Sequence, residues 1–227
     1  MLAATYMRTI TENFNIILAR QKLIGYDYHS ILNPPASIDE IARVEKRLDL
    51  GFSTELLELY MFANGTKKCS DNFGAVGLVP HYIFSDLAIA EIFYSNHQSD
   101  FELTDIDDAG HFTMYDDSYT RTFTPQRKLF PIFFDGSGDY YWVDLNENTE
   151  NYNKVYWTNS GLACSPFYEF NSLTSMFQTI AESYENNVFS FESDIASPTN
   201  YRPLIIDYKQ WVLIGKRNNP GLNNWDE

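Results

Sequence analysis

A chain of 227 residues with 44% hydrophobic and 16% aromatic side chains can close a full core and is too rich in rings to be a disordered acidic tail. Its 31 Asp and Glu against 16 Lys and Arg give a net charge of −15, which disfavours nucleic acid and anionic membranes and suits either a basic partner or plain solubility. Two cysteines, Cys69 and Cys164, are too few and too far apart for a disulfide framework or a zinc site, and no run approaches the roughly 20 apolar residues of a membrane span.

The opening MLAATYMRTITENF has no basic region followed by an apolar run, so no secretion signal is expected and a cytoplasmic protein is. Residues 2 to 22 carry Leu2, Tyr6, Ile10, Phe14 and Ile17 at helical spacing, which predicts an amphipathic helix. The segment from Gly25 to Pro35 breaks it, ending in Asn33-Pro34-Pro35. In PASIDEIARVEKRL, Ser37 and Glu40 have capping-box spacing, and Ile38, Ile41, Val44 and Leu48 form the expected apolar stripe of a second helix, closed by Gly51. Ser53 or Thr54 opens a third helix, with Leu56, Leu57, Tyr60 and Met61 as its buried face and Asn64-Gly65 as its stop.

Beyond Lys67 the period shortens. Ala75 to Pro80 reads as a strand, His81 to Asn96 as a mixed stretch with room for a short helix, and residues 100–120 as a long exposed acidic loop. Leu129 to Phe134 and Tyr140 to Leu145 read as an antiparallel hairpin around DGSGD, with Lys154 to Thr158 as a third strand. Phe170-Asn171-Ser172 leads into a helix with Leu173, Phe177, Ile180 and Tyr184 on one face. Gln210 to Ile214 reads as a strand, followed by the turn Asn219-Pro220-Gly221. These elements predict an α+β fold, mostly antiparallel sheet with helices packed on it. Residues 1–32 would be an N-terminal helix and linker, 33–190 the domain, and 191–227 a C-terminal extension packed on it.

No catalytic constellation is legible. The loop beginning at Asp135 matches a calcium loop at positions one, three and five, but has Tyr140 at six and Asn146 at twelve, and strands flank it. A turn with solvated carboxylates is expected there instead of a metal or acid–base site. The four histidines show no metal-binding spacing, and no nucleophile elbow, phosphate loop or dinucleotide fingerprint occurs, so no enzyme, metal or cofactor is expected.

The strongest functional signal is charge. Between Glu91 and Arg121 there are eight acids and one base, with Phe101, Phe112, Tyr115 and Tyr119 interleaved. Such a stretch is either a partner surface, where rings supply buried area and charges steer a basic protein, or a solvated loop whose rings fold back onto the core. As a partner surface it would use Glu102, Asp105, Asp107, Asp108, Phe112, Tyr115, Asp116 and Asp117.

Three blocks in fixed order resemble the SUKH superfamily, in particular the branch with the fungal cell-wall-synthesis regulators of the Smi/Knr type. They are PPASIDEIARVEKRLDLGFSTELLELYMFANGT, PIFFDGSGDYYWVDLN, and KVYWT followed by a helix, with the ending NNPGLNNW as weaker support. The residues that carry the likeness are Glu45, Asn64, Gly65, Asp135, Gly136, Gly138, Asp139 and Asp144. The resemblance implies a binding protein without chemistry of its own. In bacterial members that is an immunity protein neutralising a toxin, which many times is a basic nuclease; in the fungal branch it is a regulatory scaffold.

Overall fold

The computed structural model describes residues 7–23, 25, 27–67, 78–79, 82–101, 128–136, 138–158, 167–194 and 197–225, with backbone alone for 97–101, 167 and 191–203. Short polar side chains followed three residues later by a carboxylate or hydroxyl start several of its helices. At α1, Ile10–Leu23, the Glu12 amide donates to Thr9 Oγ1 at 3.1 Å and the Thr9 amide donates to Glu12 Oε2 at 2.8 Å. The expected helix from residue 2 therefore starts later among the described residues, because Thr9 supplies the cap. At α2, Ile38–Leu48, the Ser37–Glu40 box forms as its spacing predicted. At α3, Thr54–Phe62, Ser53 accepts from the Leu56 amide at 3.2 Å.

Three details of these helices differ from the sequence expectation. Asp49, at φ 53°, closes α2 two residues before Gly51. Ile38 is 70% exposed because it sits in the first turn, off the buried Ile41 and Val44. In α3 the inward face is Leu56, Leu59 and Tyr60, which leaves Met61 half exposed.

The main sheet has five antiparallel strands in the order β1 (Ile83–Phe84), β2 (Leu129–Phe134), β3 (Tyr140–Asp144), β4 (Val155–Thr158) and β5 (Phe167–Phe170). Between β1 and β2 lies α4, Leu87–Phe101, so the start of the stretch expected to be a loop is helical. Alternation separates the two faces of the sheet. Phe130, Tyr141, Val143, Val155 and Phe170 join the helix-covered core, while Leu129, Trp142 and Tyr156 form a second cluster with Tyr140 and Tyr168. Along β2, α4 lays Tyr94 toward Phe130 and sets Phe93 edge-on to Phe134 and Tyr140.

Across the core runs α5, Leu173–Glu185, with every residue from Ser175 to Tyr184 buried. Its Phe177 ring stacks on Phe14 of α1 at 5.4 Å, and Gln21 of α1 donates to the Tyr184 hydroxyl at 3.0 Å. A separate hairpin, β6 (Phe189–Asp194) and β7 (Ser197–Ile205), follows. The run Gln210 to Ile214, expected to be a strand, lies in helix α6, Tyr208–Asn218. Four consecutive apolar residues do not reveal a period by themselves. The Asp207 carboxylate decides it by accepting from the Gln210 amide at 3.0 Å, and Trp211, Ile214 and Gly215 then share the buried face.

The ending NNPGLNNW fastens this extension to the sheet. Buried Asn219 accepts from the Asn171 amide at 3.0 Å and donates to Thr179 Oγ1 and to the Gly215 carbonyl. Trp225 packs between Phe170 and Trp211, and its indole N–H donates to the Glu169 carbonyl at 2.7 Å. The α+β architecture expected from the sequence is therefore the observed one.

Candidate functional site

The proposed partner residues Glu102, Asp105, Asp107, Asp108, Phe112, Tyr115, Asp116 and Asp117 lie outside the described residues, as do Ala75 to Gly77 of the expected strand. Of that strand, Val79 makes a single bridge to Tyr82. The residues carrying the family likeness are all described, and four of them, Glu45, Asn64, Asp135 and Asp144, accept from backbone amides. Glu45 accepts from the Phe52 amide at 2.7 Å, fixing the turn between α2 and α3. Asn64 accepts from the Leu87 amide at 2.9 Å, satisfying the open start of α4, while its own carbonyl takes the Asn33 side-chain amide. Gly65 sits at φ 70° where the segment crosses residues 85 and 86.

The acidic turn DGSGD belongs to the β2–β3 hairpin. Gly136 and Gly138 have φ of 86° and 115°, and Asp135 Oδ1 accepts from the amides of Gly138 and Asp139 at 3.1 and 2.9 Å. The carboxylate thus caps its own turn. Asp144, buried at the far end of β3, accepts from the Asn146 amide and from the Tyr168 hydroxyl at 2.7 Å. Among the described residues no group of three or more His, Cys, Asp or Glu is placed to hold a metal ion.

At the turn end of the sheet the structure gathers a polar-aromatic cluster that sequence reasoning missed. The Tyr82 and Tyr141 rings lie 4.7 Å apart. Tyr82 Oη accepts from the Trp157 indole at 2.6 Å, and the Tyr141 hydroxyl donates to Glu169 Oε2 at 2.8 Å. Burial, reinforced by nearby Asp139, Glu169 and Asp135, raises the Tyr82 hydroxyl far above its ordinary value. Tyr141 is raised likewise, mainly by burial and next by Glu169. Both stay protonated as donors and acceptors, which does not suit nucleophilic work.

Glu169 keeps some exposed residue surface, yet burial of its carboxyl pushes it up to about 7, against the opposing pull of the Tyr141 hydrogen bond. An acid raised in the folded state binds its proton more tightly there than unfolded, so folding loses stability as pH rises from about 4.5 to about 7. Glu169→Gln, which still offers Tyr141 an acceptor, should therefore flatten that loss. Thermal unfolding midpoints should nearly coincide with the parent's at about pH 5 and exceed it at about pH 8. Equal pH profiles would show that the carboxyl is not titrating in this range.

Glu169 carried no motif, and strand β5 was not legible because its partner register is set by β4, at residues distant in sequence. A comparison with curated proteins found no match. Residues 35–179 match the model of the SMI1 / KNR4 family (SUKH-1).

Proposed function

Because the chain belongs to the SMI1 / KNR4 family (SUKH-1), we propose that it is an immunity protein, one that binds a basic protein toxin and covers its active or substrate surface without performing a reaction. The observation that carries this reading is the concentration of charge. Asp100 to Asp117 holds seven acids and no Lys or Arg, with Phe101, Phe112 and Tyr115 among them. Acids accelerate encounter with a basic partner, and rings supply the buried anchors of an interface.

The family-likeness residues support the same division of labour. Glu45, Asn64, Asp135 and Asp144 all accept hydrogen bonds from neighbouring backbone amides, a scaffolding task that leaves recognition to other surfaces. No helix among the described residues is long and apolar enough to cross a membrane.

Reversing Asp105, Asp107 and Asp108 to Lys should weaken toxin binding on the order of a hundredfold, chiefly through slower association, and abolish protection of cells expressing the toxin. On this reading the gene should sit directly downstream of one for a large secreted toxin, whose product is the partner to test. Normal protection by the triple variant would remove this surface from the interface. Failure of the unaltered protein to bind that product would instead favour the regulatory-scaffold role of the fungal branch.

A further inference from the structure

The main sheet closes its two edges differently. At β1 the covering group is main chain, with the Thr66 amide donating to the Phe84 carbonyl at 3.0 Å. At β5, the other end of the strand order, the cover among the described residues comes from side chains of the ending NNPGLNNW. The β4–β5 register pairs Tyr156 with Tyr168 and Val155 with Phe170 and passes over Glu169, whose carbonyl takes the Trp225 indole N–H at 2.7 Å. Two residues on, the Asn171 amide donates to the Asn219 side-chain oxygen at 3.0 Å. A neighbouring antiparallel strand offers the same pair: a donor for one residue's carbonyl and an acceptor for the amide two residues further on. Trp225 and Asn219 thus fill the hydrogen-bonding places of an added strand with side chains.

We infer that residues 219–225 are an autoinhibitory plug on a strand-pairing edge, and that displacing them lets β5 pair antiparallel with β5 of a second copy. The edge is its own complement. With the two-fold axis beside Phe170, the Glu169 carbonyl meets the Asn171 amide of the other copy, and symmetry forms the reciprocal bond. Asn219 then yields the Asn171 amide to the incoming strand. The Glu169 carboxyl is engaged elsewhere, accepting from the Tyr141 hydroxyl of β3. Unpaired edges are ready templates for such pairing, and a covering segment is one of the usual guards. The plug also has a built seat. Gly215 of α6 lies so close to the Trp225 ring that a Cβ there would overlap its carbons, and Phe170 and Trp211 flank the ring. The inference does not depend on any toxin.

Gly215→Ala is the most direct test, because it evicts the Trp225 ring while favouring helix α6 and leaving β5 untouched. In sedimentation equilibrium, Gly215→Ala and Trp225→Ala should each dimerise on the order of tenfold or more tightly than the unaltered protein. As the dimer forms, amide exchange should slow at residues 167–171. Combining the two changes should add little, because either alone removes the ring from its seat. Trp225→Phe, which keeps a ring there and removes only the N–H, should shift association in the same direction. It decides the matter if thermal unfolding shows the other variants to be unfolded. Association no tighter than the parent's in the folded variants overturns the inference. So does association without slower exchange at 167–171, or an unaltered protein already paired through those residues.

Discussion

Gly65→Ala is expected to lower stability by about 3–4 kcal/mol or to prevent folding. A Cβ at this position would lie 2.3 Å from the Asp86 amide nitrogen and 2.6 Å from Asp86 Cα and the Ser85 carbonyl carbon. All three are backbone atoms, so no rotamer change relieves the overlap. The φ of 70° adds the ordinary left-handed cost of a residue with a side chain. Moving the segment would also break its surroundings, because the Gly65 carbonyl accepts from the Asn33 amide and the Thr66 amide donates to the Phe84 carbonyl, both at 3.0 Å. Gly51→Ala is the comparison. There the new carbon meets only Glu147 Oε1, at 3.7 Å, so the change should be neutral or mildly stabilising through the unfolded chain. Denaturant unfolding of the two variants should separate them widely; similar midpoints would mean that residues 64–66 and 85–87 do not cross this closely.

Glu182→Ala should cost about 3 kcal/mol, because one nearly buried carboxylate joins three elements. Its side chain is 11% exposed and accepts from Gln178 within α5, from Arg217, and from Asn218 at 3.1 Å, both on α6. Arg8, ahead of α1, approaches it at 3.9 Å while making a two-pronged pair with Glu185. Burial opposes ionisation of Glu182, but the Gln178, Asn218 and Arg217 bonds outweigh it and hold the carboxyl below the usual range. A depressed acid contributes stability that is present above its unfolded pKa and disappears as pH falls through the folded value. The parent should therefore lose more stability than the variant on acidification below about pH 4.5. Unfolding should also become less cooperative at neutral pH, with α6 protected more weakly than α5 in amide exchange. Equal protection of α6 in parent and variant would show that Asn219 and Trp225 suffice to hold it.

Much of the fold was legible because its signals are local. The Ser37–Glu40 box, the Ser53 cap and the two strands around Asp135 depend on residues within a few positions of each other. The expected strand at Gln210 failed for the opposite reason. Whether Trp211 to Ile214 is helix or strand depends on the Asp207 cap and on burial against α5, Phe189 and Trp225, which an apolar run of four does not disclose. The Thr9 cap was missed because apolar spacing extends upstream of it, and periodicity outranked the T-x-x-E signal.

By itself the sequence determined the α+β class, the family, the order of the principal helices and the hairpin, and the acidic imbalance, because helix caps, side-chain period and charge are properties of short windows. Only the tertiary structure decided what the likeness residues do and where polar groups meet. Glu45, Asn64 and Asp144 became backbone staples, and Glu169 and Glu182 became buried carboxyls with opposite titration shifts. The difference is physical. A carboxyl's pKa is set by what surrounds it in space, and Tyr141 lies 28 residues from Glu169, Arg217 35 from Glu182. No local window contains both members of either pair.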